Sequence, residues 1–169
     1  MPNKVTVSDA ALRQAAEEGM DAFVDIFVDA INAAVGGELT AETMTQLNAS
    51  QITLLAYRIL RDEVMDGGFI QLIHNGYGGF IFLNPFAKMV KQWGITELGR
   101  LVSKVHSNYK KYREEIEKDC TDEEFMSLFE QFPMFDDFDD TFVEHEEEWT
   151  AAIAQYIDGH IEEFAEIVN

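Results

Sequence analysis

Residues 63–78 read Glu63-Val64-Met65-Asp66-Gly67-Gly68-Phe69-Ile70-Gln71-Leu72-Ile73-His74-Asn75-Gly76-Tyr77-Gly78, and the punctuation of this run decides the fold. Upstream, Ile52, Leu55, Ile59, Leu60, Val64 and Met65 recur at helical spacing, so the paired glycines close an amphipathic helix that Ser50 starts. Phe69 re-enters the core and Phe69 to His74 adds a further turn or two, with Gln71 and Asn75 placed to satisfy backbone groups at the turn. Asn75 to Gly79 then reads as irregular backbone suited to positive φ angles. Short strands at Ile70–Ile73 and Gly79–Leu83 are the competing reading, but the flanking periodicity is helical.

Working outward, Thr6-Val7-Ser8-Asp9 offers a capped start to one long helix, bent at Gly19 and ended by Gly36-Gly37, and Thr40 caps a short helix to about Leu47. Asn84-Pro85 reads as an N-cap followed by proline at the first helical position, giving a helix to about Trp93. Thr96 opens a basic helix with Leu98, Leu101, Val102, Val105, Tyr109, Tyr112 and Ile116 on one side. Thr121 to Glu124 form a capping box for a helix limited by Pro133, and a loop follows through Phe138. Phe142, Trp149, Ile153, Tyr156 and Ile157 mark a helix from about Asp140, and a last helix follows Gly159 through Ile161, Phe164 and Val168. The expected fold is all-α: a single helical domain over residues 1–169, of about eight helices with a glycine-rich central turn.

At 169 residues with 47% apolar content the chain can bury one core. Its 12 basic and 32 acidic residues give a net charge of −20, which disfavours direct nucleic-acid binding and adhesion to anionic membranes. The charge is uneven: residues 1–87 carry 4 bases and 11 acids, 88–118 carry 8 and 4, and 119–169 carry no base and 17 acids. Only the middle segment has bases to spare, so Arg100 and Lys104 are the candidates for neutralising the strongly acidic C-terminal part 119–169. Cys120 is the sole cysteine, which allows no internal disulfide. Met1-Pro2-Asn3-Lys4 opens no charged-then-apolar leader and no apolar run is of membrane-spanning length, so the expectation is a cytoplasmic protein.

Catalytic and metal motifs are weak. His145 and Glu148 form an isolated i, i+3 couple without HExxH. Asp137, Asp139, Thr141, Val143, His145 and Glu148 fall on calcium-loop offsets, but Phe142 stands where the loop needs glycine. Gly76-Tyr77-Gly78-Gly79 completes no phosphate-binding motif, and no G-x-S-x-G occurs. The carboxylates around Cys120 disfavour a thiolate. Asn48-Ala49-Ser50 fits a glycosylation acceptor but reads as the capped start of a helix. No enzyme activity, cofactor or metal is expected.

The run quoted above resembles the E-x-x-N-G-G-F-x-Q signature of the bacterial DNA mimic protein family, carried by Glu63, Gly67, Gly68, Phe69, Gln71, Asn75 and Gly78, with Asp66 where the signature has Asn. Gly94-Ile95 is similar to that family's glycine step, and Phe138-Asp139-Asp140-Thr141-Phe142 to its later acidic-aromatic element, so the resemblance covers about residues 50–145. It implies an all-helical fold, in a family whose best-known member presents carboxylates in place of DNA phosphates and blocks a transcription factor. The signature marks the fold and names no binding residue.

The acids supply the candidate face: Asp136, Asp137, Asp139 and Asp140, then Glu144, Glu147 and Glu148, then Glu162, Glu163 and Glu166. Carboxylates three or four residues apart on a helix lie about 5–6 Å from each other, roughly matching every second phosphate of a strand that advances about 3.4 Å per nucleotide. The expected partner is a basic, DNA-binding protein, and a homodimer would lengthen the charge track. Two alternatives compete: an immunity-type inhibitor of a basic toxin or nuclease, and a small-ligand or enzymatic domain using Gln71, His74, Asn75 and Tyr77 in the Gly67–Gly79 region.

Overall fold

A computed structural model describes residues 4–37 and 39–169, so the reading of Met1 to Asn3 lies outside the described residues. The fold is all-α, 78% helical. In chain order the described elements are β1 (Thr6–Ser8), α1 (Asp9–Glu18), α2 (Met20–Ala34), α3 (Ala41–Met44), α4 (Ala49–His74), α5 (Gly78–Phe82), α6 (Phe86–Gln92), α7 (Thr96–Glu117), α8 (Asp122–Gln131), α9 (Met134–Gly159) and β2 (Glu166–Val168). They divide between two compact units, one holding the described residues up to Leu55 with Glu148–Asn169, the other Ala56–Glu147.

In the first unit Ser8 accepts the Ala11 N–H at 3.1 Å and starts α1. The single long helix expected there is two helices, because Gly19 adopts φ 129°, ψ 179°, a conformation open to glycine, which closes α1 and re-aims α2. That turn leaves Phe23, Val24, Phe27, Val28 and Ile31 buried on one face of α2, with Phe27 edge-on to Phe164 at 6.4 Å. Helix α4 is capped by Asn48 rather than Ser50: the Gln51 N–H donates to Asn48 Oδ1 at 2.8 Å while Gln51 Oε1 accepts the Asn48 N–H at 3.0 Å.

The expected last helix is instead a single 3-10 turn at Ile161–Glu163 followed by β2. So short a segment gains little as an isolated helix, whereas Ile167 and Val168 are β-branched and Glu166 N–H finds the Val5 carbonyl at 2.8 Å. Strand β2 pairs parallel with β1 in the register Thr6–Glu166, Val7–Ile167, Ser8–Val168.

In the second unit α4 is broken where the glycine pair stands: Gly67 (φ −145°, ψ 15°) and Gly68 (φ 76°, ψ −177°) leave helical space, and Phe69, Ile70, Leu72 and Ile73 then turn inward fully buried. Ile70–Ile73 and Gly79–Phe82 are helical. The irregular stretch is shorter than expected, because Gly78 already begins α5: it is buried, and the Tyr109 ring occupies the space a Cβ would need. Asn84 does not cap α6. Its Nδ2 donates backward to the Phe80 carbonyl at 2.9 Å and closes α5, and Pro85 takes the cap position.

The basic helix appears as expected, with Leu98, Leu101, Val102, Val105, Tyr109 and Ile116 buried. At Thr121, Oγ1 accepts the Glu124 N–H and the Glu124 carboxylate accepts the Thr121 N–H. Helix α9 starts at Met134, several residues before the expected Asp140. Proline is tolerated immediately before a helix, Asp136 and Asp137 suit its positive end, and Phe135 and Phe142 fall on one buried side, so no loop intervenes. The residues on calcium-loop offsets therefore stand in continuous helix.

Candidate functional site

Helix α9 carries acids on two sides with different fates. On the outer side Asp136, Asp137, Asp140, Glu144 and Glu147 are exposed. Among the described residues of this unit none of them forms an ion pair with a base. Asp136, Asp140, Glu144 and Glu147 share one helix face, and their Cα positions span about 16 Å along the axis. The bases of the middle segment are engaged locally or unpaired: Arg100 pairs with Glu97 at 2.7 Å and Arg113 with Glu117 at 3.1 Å, both within α7. The stripe in this unit is thus not dissolved into an internal charge network.

The inner side of α9 holds Asp139, Phe142 and Glu146. Asp139 is half-buried and its Oδ1 accepts the Phe69 N–H at 2.8 Å, capping the part of α4 that restarts after the glycine break. Gly68 makes this approach possible, because a Cβ there would overlap the Asp139 carboxylate. Burial first, then the nearby Asp136 and Asp140 charges, push the Asp139 carboxyl up to about 6 against the opposing pull of the Phe69 N–H. Phe69 stands edge-on to Phe142 at 6.4 Å, and one turn further Glu146, buried, pairs with Arg61 at 2.6 Å. Sequence reading placed Asp139 with the surface acids. The pairing of the Gly-Gly-Phe run with the later Phe-Asp-acidic-x-Phe element was the available clue that the two form one structural joint.

The amides of the Gly67–Gly79 region bind the acids that precede it. Gln71 and Asn75, expected to satisfy backbone groups, donate to side chains: Gln71 Nε2 to Glu63 at 2.7 Å and Asp66 at 2.9 Å, and Asn75 Nδ2 to Glu63 at 3.1 Å. Gly67 lacks the Cβ that would collide with the Gln71 side chain. His74 Nδ1 lies 2.8 Å from the Ile116 carbonyl, and Tyr77 is exposed. His145 Nδ1 contacts the Thr141 carbonyl at 2.9 Å. Among the described residues no group of three or more His, Cys, Asp or Glu side chains is placed to hold a metal ion.

In the other unit Glu148 and Glu162 are exposed. Glu163 is held inside the fold, accepting from Ser50 Oγ at 2.6 Å and Tyr156 OH at 3.0 Å, and Glu166 pairs with Lys4 at 3.3 Å. Burial and the Glu163 carboxylate push the Tyr156 phenol up to about 12. Of the ten acids assigned to one face by sequence, Asp139, Glu163 and Glu166 thus have partners in the fold. No described helix is long and apolar enough to cross a membrane.

A family model described as DMP19-like protein matches residues 45–160. The DNA mimic protein DMP19 of Neisseria meningitidis serogroup B (strain ATCC BAA-335 / MC58) is 34% identical to this chain over 127 residues, covering 75% of this chain and 77% of the relative. The match embraces the glycine break, the Asp139 cap and the whole acidic stripe of α9, and on it the chain belongs to the DMP19-like protein family.

Proposed function

We propose that this protein is a non-catalytic DNA mimic whose α9 stripe, Asp136, Asp137, Asp140, Glu144 and Glu147, occupies the DNA-binding surface of a basic protein, a transcription factor being the expected class. The observation that carries the reading is the exposure of these five carboxylates at helical spacing without basic partners among the described residues of their unit. Such a row is maintained against its own repulsion, at a few tenths of a kcal/mol per i, i+4 pair, and a basic groove relieves it. The name of the Neisseria relative supports the same class of activity. Glu148 and Glu162 in the other unit are candidate additional contacts.

The test is capture from native lysate on the immobilised protein at low salt, elution by a salt step, and identification by mass spectrometry. A DNA-binding protein should elute and should release its operator when the chain is added. Replacing Asp140 by Asn and Glu144 and Glu147 by Gln should weaken that complex at unchanged helicity. Undiminished affinity in the triple variant would remove α9 as the site.

A further inference from the structure

From Pro85 to Arg113 the sequence holds seven bases, Lys88, Lys91, Arg100, Lys104, Lys110, Lys111 and Arg113, against one acid, Glu97. Helices α6 and α7 pack together here, closely enough at Gly99 that the Lys91 side chain fills the space a Cβ would take. Lys88, Lys91, Lys104, Lys110 and Lys111 are exposed, and among the described residues of this unit none of them forms an ion pair, although the whole chain has 32 acids. Arg100, which pairs with Glu97 at the start of the row, and Lys104, Asn108 and Lys111 stand at offsets 0, 4, 8 and 11 on a single helix face, with no acid on it between Arg100 and Lys111. Asp136, Asp140, Glu144 and Glu147 on α9 repeat the same offsets, so the two rows have the same length, about 16 Å, and opposite sign.

We propose that the basic face of α6 and α7 docks the acidic α9 stripe of a second copy of this chain, masking the stripe until a more basic partner displaces it. The inference rests on the reading of α9 above and adds a regulation to it. The contact is heterologous, acidic row on basic row, so it leaves one row of each sign open at the ends of a pair and tends to extend with concentration. At about 0.15 M salt the Debye length is about 8 Å, which screens the repulsion between distant parts of two chains of charge −20 while sparing groups in contact.

Sedimentation velocity over a concentration series at that ionic strength tests it. The full chain should self-associate, and K104E/K111E and D140K/E144K should each raise the dissociation constant at least about tenfold. An equimolar mixture of the two variants should associate again, because each then offers the row the other lacks. A wild-type chain that stays monomeric to its solubility limit overturns the proposal, as does K104E/K111E associating like wild type or a mixture that fails to recover. K104Q/K111Q, checked by circular dichroism, serves if the charge reversal unfolds. The basic-face variants keep the α9 stripe, so continued capture of a DNA-binding protein by K104E/K111E separates failure of this proposal from failure of DNA mimicry.

Discussion

Replacing Asp139 by Asn should leave the protein at least as stable at pH 8 while removing much of its gain in stability on acidification. In the folded chain the carboxyl is raised from 3.8 to about 6, chiefly by burial and secondarily by Asp136 and Asp140. A raised carboxyl pKa means the folded state holds the proton more tightly than the unfolded state. This group therefore favours folding most at low pH, and that contribution is lost as pH rises from about 4 through about 6. Each pKa unit is worth about 1.4 kcal/mol, and solvent screening of a half-buried group reduces the two-unit shift to on the order of 1–2 kcal/mol. Asparagine keeps an oxygen for the Phe69 N–H and has no charge to desolvate. Alanine leaves that N–H without its acceptor, costing about 1–3 kcal/mol at either pH.

The assay is urea unfolding followed at 222 nm at pH 5 and pH 8 for wild type, Asp139→Asn and Asp139→Ala. The pH 5 minus pH 8 difference should shrink in both variants, and only alanine should lose stability at pH 8. An asparagine variant as unstable at pH 8 as the alanine one would show that the cap needs its charge. A pH difference unchanged by either substitution would locate the titration elsewhere.

Gly68→Ala combines a positive φ of 76° with overlap on the Asp139 carboxylate and should cost about 2 kcal/mol or more in chemical denaturation. Gly78→Ala meets the Tyr109 ring first, from a helical backbone, and should cost about 1–3 kcal/mol by overpacking. Glu146→Ala takes the carboxylate away from the Arg61 guanidinium and should lower stability, whereas the double change Arg61→Met, Glu146→Leu should recover most of that in thermal melts. The His106 ring lies against Phe82 at 5.7 Å with its Nε2 buried and unpartnered among the described residues, and burial and then Lys110 push its pKa down, so proton NMR should place its titration below that of ordinary histidines.

Periodicity and caps made most of the helices legible, because a stripe such as Leu98, Leu101, Val102 and Val105 follows from local spacing alone. What escaped was set by long-range partners. Glu166 became strand because Val5 offered a carbonyl, and Asn84 served the preceding helix because Phe80 did. The candidate surface divides in the same way. Exposure of Glu144 and Glu147 follows from the turns that bury Phe142 and Glu146, but whether Asp139 faces water or an N–H depends on a glycine 71 positions earlier.

The two sides of α9 explain how such a stripe persists in a folded chain. The inner side is fixed at three points, the Asp139 cap on Phe69, the Phe69–Phe142 contact and the Arg61–Glu146 pair, so the outer carboxylates are presented at set spacing before any partner arrives. Preorganisation of this kind lowers the entropy lost on binding. It also gives salt two opposite effects. Added sodium chloride screens repulsion along Asp136, Asp140, Glu144 and Glu147 and should raise the melting temperature of the free chain, while the same salt should loosen its complex with a basic protein. In the variant Asp140→Asn, Glu144→Gln, Glu147→Gln both slopes should flatten together. A variant that loses the stabilising slope but keeps a salt-sensitive complex would mean that these acids strain the helix without touching the partner.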